Sequence, residues 1–310
     1  MIPDRPDPWH GIYPAILTPM RGDFSIDDAA MARHATDVTV DGIVGVMCNG
    51  HAGENYMTSR EEKRRVTAAV VGAIGKRAIV VCGINAESSL EAAAHAGDAE
   101  AAGADAIMVF APNAWALGCD DDMVLRHHAM IAQACGLPIM LFQASVGSGR
   151  MAFTSTALER LLALPRIVAI KEGSWEVNAY ERTLRLVKRV APDVAVMGSG
   201  DEHLFTSFMI GSEGSVVSLA AVIPEMIVAL DRAVKRGDVA AARAIHAKLH
   251  PLANIIYGVP PGSLATARLK ACLLLLGRFA SDAVRPPFAP IDTAERARID
   301  AALRVAMSAV

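Results

Sequence analysis

The chain has 310 residues, 53% of them hydrophobic, with 30 basic against 33 acidic residues and a formal charge of −3. It carries no basic stripe for nucleic acid and no uninterrupted apolar run of roughly 18 residues for a membrane span. The opening Met1-Ile2-Pro3-Asp4-Arg5-Pro6-Asp7-Pro8 is polar and broken by prolines, unlike the apolar core of a secretion signal, and five widely spaced cysteines without a CxxC pair fit a reducing, cytoplasmic setting.

In chain order, eight short apolar runs predict strands at 12–17, 43–48, 78–82, 106–110, 139–142, 167–170, 194–197 and 215–218. Their starts lie about 27 to 35 residues apart, with a shorter last interval, so each gap has room for one crossover helix. The runs are nearly continuous in apolarity, as in strands buried on both faces, and Cys48 and Cys82 within them read as core residues. The segments between predict helices at 27–39, 59–71, 90–102, 121–134, 155–162, 176–190, 202–210 and 224–235. Pro224 suits a first helical turn, and Gly42, Gly103 and Gly136 suit C-terminal caps.

This alternation predicts an α/β fold, a (β/α)8 TIM barrel, as a catalytic domain over residues 1–237. An open doubly wound sheet is the alternative. It calls for a glycine-rich phosphate loop after the first strand, where the chain reads Leu17-Thr18-Pro19-Met20. Residues 238–310 are wholly helical in pattern, at 240–257, 263–276 and 293–308. They predict a three-helix extension packed on the barrel's side.

Active sites of such barrels lie at the C-terminal ends of the strands. The sixth strand, Ile167-Val168-Ala169-Ile170, ends at Lys171. Burial there disfavours the ammonium form and makes the amine a nucleophile able to form a Schiff base. Alternatively, Lys171 snorkels outward or pairs with Glu172. After the second strand, Asn49-Gly50-His51-Ala52-Gly53-Glu54 sets two glycines among polar residues. Backbone N–H groups there can approach a carboxylate, or the segment is only a tight turn. His51 either shuttles a proton near neutral pH or is merely solvated. The other strand ends supply Asn113, Phe142, Gln143, Gly198 and Ser218. Trp115 and Trp175 either line a pocket or anchor their loops. His127-His128 read as structural, and His246 and His250 lack a third ligand nearby, so no metal site is expected.

In this order the motifs are specific. The chain resembles the dihydrodipicolinate synthase / N-acetylneuraminate lyase family of class I Schiff-base lyases over nearly its whole length. The likeness rests on Gly11-Ile12-Tyr13-Pro14-Ala15-Ile16-Leu17-Thr18-Pro19, on Asn49 through Glu54 with Thr58-Ser59-Arg60-Glu61-Glu62, and on Gly103-Ala104-Asp105-Ala106 with Ala111-Pro112. Ile170-Lys171-Glu172, Gly198-Ser199-Gly200-Asp201-Glu202, Gly211 through Ser218, Leu269-Lys270-Ala271 and Arg285-Pro286-Pro287 complete it. The resemblance implies that Lys171 condenses with the keto group of pyruvate or another 2-oxo acid, such as a 2-keto-3-deoxy sugar acid. The iminium is then the electron sink, with no cofactor required. Backbone N–H groups near His51 and Ala52 hold the carboxylate, and the assembly is a homotetramer built as a dimer of dimers.

The chain departs from the family pattern where the chemistry is done. His51-Ala52 replaces two threonines, and Phe142 stands at the end of strand five where a proton-shuttling tyrosine is usual. Asn113 and Ala114 stand where aromatics are common, and the arginine expected after strand five is missing. These departures argue against a true dihydrodipicolinate synthase. The expected catalytic residues are Lys171, His51 and Gln143, the last two as candidates to replace the missing relay. The expected substrate-binding residues are Gly50, Ala52, Phe142, Asn113, Gly198 and Ser218. The expected activity is an aldolase or dehydratase. A deaminating or hydrolytic branch, or a barrel that only binds a carboxylate, is the alternative.

Overall fold

The computed structural model describes residues 7–308. Residues 1–6 and 309–310, and with them most of the proline-broken opening and the outer ends of both expected domain spans, lie outside the described residues. Eight strands alternate with eight helices: β1 (Gly11–Pro14), α1 (Asp28–Asp37), β2 (Gly45–Cys48), α2 (Arg60–Ile74), β3 (Ile79–Ile84), α3 (Ser89–Ala101), β4 (Ala106–Val109), α4 (Asp121–Ala134), β5 (Ile139–Gln143), α5 (Ser155–Leu162), β6 (Ile167–Glu172), α6 (Val177–Val190), β7 (Ala195–Gly198), α7 (Leu204–Ile210), β8 (Gly214–Val217) and α8 (Pro224–Lys235). Helices α9 (Val239–Ala253), α10 (Ala265–Leu275) and α11 (Thr293–Met307) come after them.

The strands are parallel, in the order β1-β8-β7-β6-β5-β4-β3-β2. Bridges from Ile12 to Ile43 and from Ala15 to Met47 bring β2 back to β1, and the sheet closes into a (β/α)8 TIM barrel. Helix starts obey local chemistry: Asp27, Ser59, Ser88, Asp120 and Thr154 each accept an N–H of the first turn, a contact worth about 1 kcal/mol. Ser59 and Glu62 complete a capping box. Gly103 turns left-handed behind α3, as expected. Two other cap expectations are corrected. Gly42 is left-handed in the turn into β2, while Val38 closes α1. Behind α4, Cys135 runs extended, its carbonyl taken by the Arg166 guanidinium at 3.0 Å, and Gly136 caps nothing.

The period of two along each strand divides the core. Tyr13, Met47, Val81, Met108, Met140, Ala169, Met197 and Val216 fill the barrel, while their neighbours Cys48, Val80, Ile107 and Ile170 pack beneath the helices. In the extension, α9 packs on α8 and α11, and α10 on α11. The extension does not only lie on the barrel's side, as the sequence suggested. It also crosses the mouth. Lys270 of α10 is fully buried in an ion pair with Glu54, just past β2, and donates to Ala283 O at 2.7 Å. The Arg285 N–H donates to Glu54 at 3.1 Å and its guanidinium to Met57 O at 2.7 Å.

Candidate active site

The C-terminal strand ends and the extension enclose a cavity of about 630 Å³. Lys171 reaches it by strand parity. On β6, Ala169 faces the barrel interior and Ile170 faces the helices, so Lys171 faces inward and Glu172 outward. Glu172 is buried and accepts from the Ser174 N–H at 3.2 Å and the Ser174 hydroxyl at 2.9 Å. It is therefore not the partner of Lys171. The Lys171 Nζ lies 5.3 Å from the centroid of the Phe142 ring. Burial pulls its pKa down to about 8, and the Asp201 charge opposes that shift without cancelling it.

One wall of the cavity is aromatic. The Phe142 ring contacts Phe110, with centroids 4.9 Å apart, and Phe110 lies 4.4 Å from the His51 ring. His51 opens a single turn of 3-10 helix, His51–Gly53, that leaves β2. Its ring is open to the cavity yet deep in the molecule. Burial, then the Lys171 charge, pulls its pKa down to about 4, so the imidazole is neutral at pH 7. Gly50 packs closely on Met47, where a Cβ would meet the methionine Cε at 2.7 Å and push its end aside. Asn49, left-handed at φ 53°, anchors the base of the loop by donating to Lys63 O and Thr67 Oγ1, both at 2.9 Å. Within the turn the Gly53 N–H donates to Gly50 O at 3.0 Å. The N–H groups of His51 and Ala52, first in the turn, have no acceptor inside it.

The opposite wall is polar. Asp201, in the turn after β7, is buried and accepts the Leu219 N–H. Burial pushes its carboxyl up to about 6. Ser218, just past β8, donates to Asp201 Oδ2 at 3.4 Å and shares a hydrogen bond with the Tyr257 hydroxyl. Tyr257 comes from the π-turn Asn254–Gly258 after α9. Burial, reinforced by the Asp201 charge, raises its pKa well above the ordinary value, so the phenol keeps its proton. Trp175 stands at the mouth, left-handed at φ 58° and 49% exposed. It packs so closely on Gly200 that a Cβ there would meet its ring at 2.8 Å.

The structure brings Lys171, His51, Gly50, Ala52, Phe142, Asn113 and Ser218 to this cavity. It does not bring Gln143 or Gly198. With Phe142 facing in, Gln143 faces out, and its amide is used up on Phe153, accepting from the N–H at 3.0 Å and donating to the carbonyl at 3.3 Å. Gly198 likewise comes after the inward Met197 and meets Ser207, and its N–H donates to Ser212 Oγ at 2.8 Å. Both expectations are corrected by the same alternation. Asp201, Tyr257, Tyr56 and Phe288 also line the cavity and were missed. Asp201 was within reach, since it sits in the strand-seven motif. Tyr257 carried only the weak signal of being one of four tyrosines.

The chain matches the dihydrodipicolinate synthetase family over residues 8–306. The 4-hydroxy-tetrahydrodipicolinate synthase of Neisseria meningitidis serogroup C is 31% identical over 296 residues, covering 95% of this chain and 97% of that protein. Among solved structures, YagE, a prophage protein of the dihydrodipicolinic acid synthase family from E. coli K12 in complex with pyruvate, superposes with a TM-score of 0.88 at 25% identity, over 96% of this chain and 98% of that one. Dihydrodipicolinate synthase from Agrobacterium tumefaciens gives 0.86 at 25% identity, over the same shares of each chain.

Proposed function

Because the chain belongs to the dihydrodipicolinate synthetase family, we propose that it is a lyase holding a 2-oxo acid such as pyruvate as an imine on Lys171. The observation that carries this is the Lys171 amine itself. It faces the cavity, among the described residues no carboxylate forms an ion pair with it, and its pKa is drawn down to about 8. About a tenth of it is then neutral at pH 7, against about one part in three thousand for a free lysine. The neutral amine attacks the keto carbon and water leaves. The first N–H groups of the His51 turn hold the carboxylate. The iminium draws electrons from the bond beside it, so a neighbouring C–C or C–O bond forms or breaks.

Protons for these steps come from the polar wall. Tyr257 donates toward Ser218 and Ser218 toward Asp201, giving a path between phenol and carboxylate. This replaces the absent tyrosine of strand five. We also propose that the activity is not that of a true dihydrodipicolinate synthase, because Phe142 carries no labile proton and Lys171 is the one cation among the described residues lining the cavity. A homo-oligomer is part of the same proposal, and light scattering of the purified chain reads it.

Borohydride reduction in the presence of pyruvate, followed by intact mass and peptide mapping, tests the imine. Labelling at Lys171, lost together with at least about 10⁴-fold of activity in Lys171→Ala, is the expected result. A folded protein that no 2-oxo acid labels would leave a carboxylate-binding barrel as the function.

A further inference from the structure

The partner that meets the imine is constrained by the rest of the cavity, and its identity as inferred here rests on the lyase function proposed above. From Lys171 a continuous run of rings leads away toward the extension. Phe142 and Phe110 touch His51, with ring centroids 5.7 Å and 4.4 Å from its own. His51 stands 6.4 Å from Tyr56, and Tyr56 stands 6.2 Å from Phe288. Trp175 adds a further ring at the mouth.

Charge on the distal part of a substrate has no answer here. Among the described residues lining the cavity, Lys171 is the sole lysine or arginine and is committed to the imine, and Asp201 is the sole carboxylate. A second carboxylate or a phosphate would be desolvated without a counter-ion and would face Asp201. Hydroxyls that a polyol chain needs are partly engaged already, Ser218 with Tyr257 and Thr266 with Tyr56. A flat apolar ring meets none of these penalties and stacks on the aromatic wall.

We propose that the second substrate is an uncharged aromatic aldehyde. Lys171 and pyruvate form the imine and release one water. Loss of a C3 proton gives the enamine, whose C3 forms a bond to the aldehyde carbon. The aldehyde oxygen takes a proton, and one water hydrolyses the new imine. The products are a 4-aryl-4-hydroxy-2-oxo acid and the free Lys171 amine. The reverse sequence cleaves that acid to pyruvate and the aldehyde.

The test gives the full-length protein pyruvate with benzaldehyde, with glyceraldehyde or with succinic semialdehyde, and monitors product by NMR. The expected kcat/KM for benzaldehyde exceeds each of the others by about tenfold or more. Phe288→Ala, and separately Tyr56→Ala, should narrow the ratio of benzaldehyde to glyceraldehyde by a similar factor. If Lys171 is labelled with pyruvate and borohydride but glyceraldehyde or the semialdehyde reacts as well or better, or no aldehyde reacts, the aromatic partner is wrong and the lyase function stands. If pyruvate never labels Lys171, the lyase function falls and this proposal falls with it.

Discussion

On one side of Lys171 the cavity wall carries the rings of Phe142 and His51, backed by the buried Phe110, none with a hydroxyl to lend. On the other side Asp201, Ser218 and Tyr257 form a line of groups through which a proton can travel. The first wall hangs on strands β2, β4 and β5. The second is assembled from the ends of β7 and β8 and from a turn of the extension. The contrast teaches that shape and proton traffic need not come from the same strand ends. In the function proposed above, the phenol comes from a segment that crosses the mouth and not from β5, since proton transfer needs only a position in space and a hydrogen-bonded partner.

The largest expected effect would break the aromatic wall at its anchor. Lys270→Met leaves Glu54 buried without its cation, and Glu54 closes the loop that carries His51. The expected cost is about 3–5 kcal/mol, read as a lower urea midpoint. Wild-type stability in that variant would mean that the extension does not hold this wall.

A smaller effect bears on the polar wall. Tyr257→Phe should lower kcat about a hundredfold while borohydride and pyruvate still label Lys171. Unchanged kcat there, with activity lost in His51→Ala, would move the proton traffic to the aromatic wall and invert the comparison.

The finest distinction is a pH profile. The neutral amine is the nucleophile, so labelling of Lys171 by pyruvate rises with pH through the lysine's pKa, about 8. Asp201 holds that value up, so Asp201→Asn should shift the rising limb to lower pH. An unmoved limb would mean that Asp201 acts on Tyr257 and Ser218 alone.

Much of this was legible in the residues. Strand and helix order, the helix beginning at Ser59 and Lys171 at the end of β6 depend on patterns spanning a few residues. A period of two or a cap acts over one turn or one strand. The misplacement of Gln143 and Gly198 came from reading strand ends without counting parity. Once Phe142 and Met197 face inward, the next residue must face the helices. That much the sequence by itself determined.

The completion of the polar wall by Tyr257 was decided only by tertiary structure. Tyr257 reaches Ser218 because α9 packs on α8 and then breaks into the π-turn, which carries the chain over the barrel. Lys270 meets Glu54 because α10 lies across the loop leaving β2. Neither partner is near the other in sequence, and no local period encodes their meeting. They are brought together by burial of the extension against the barrel, a long-range packing energy summed over many side chains.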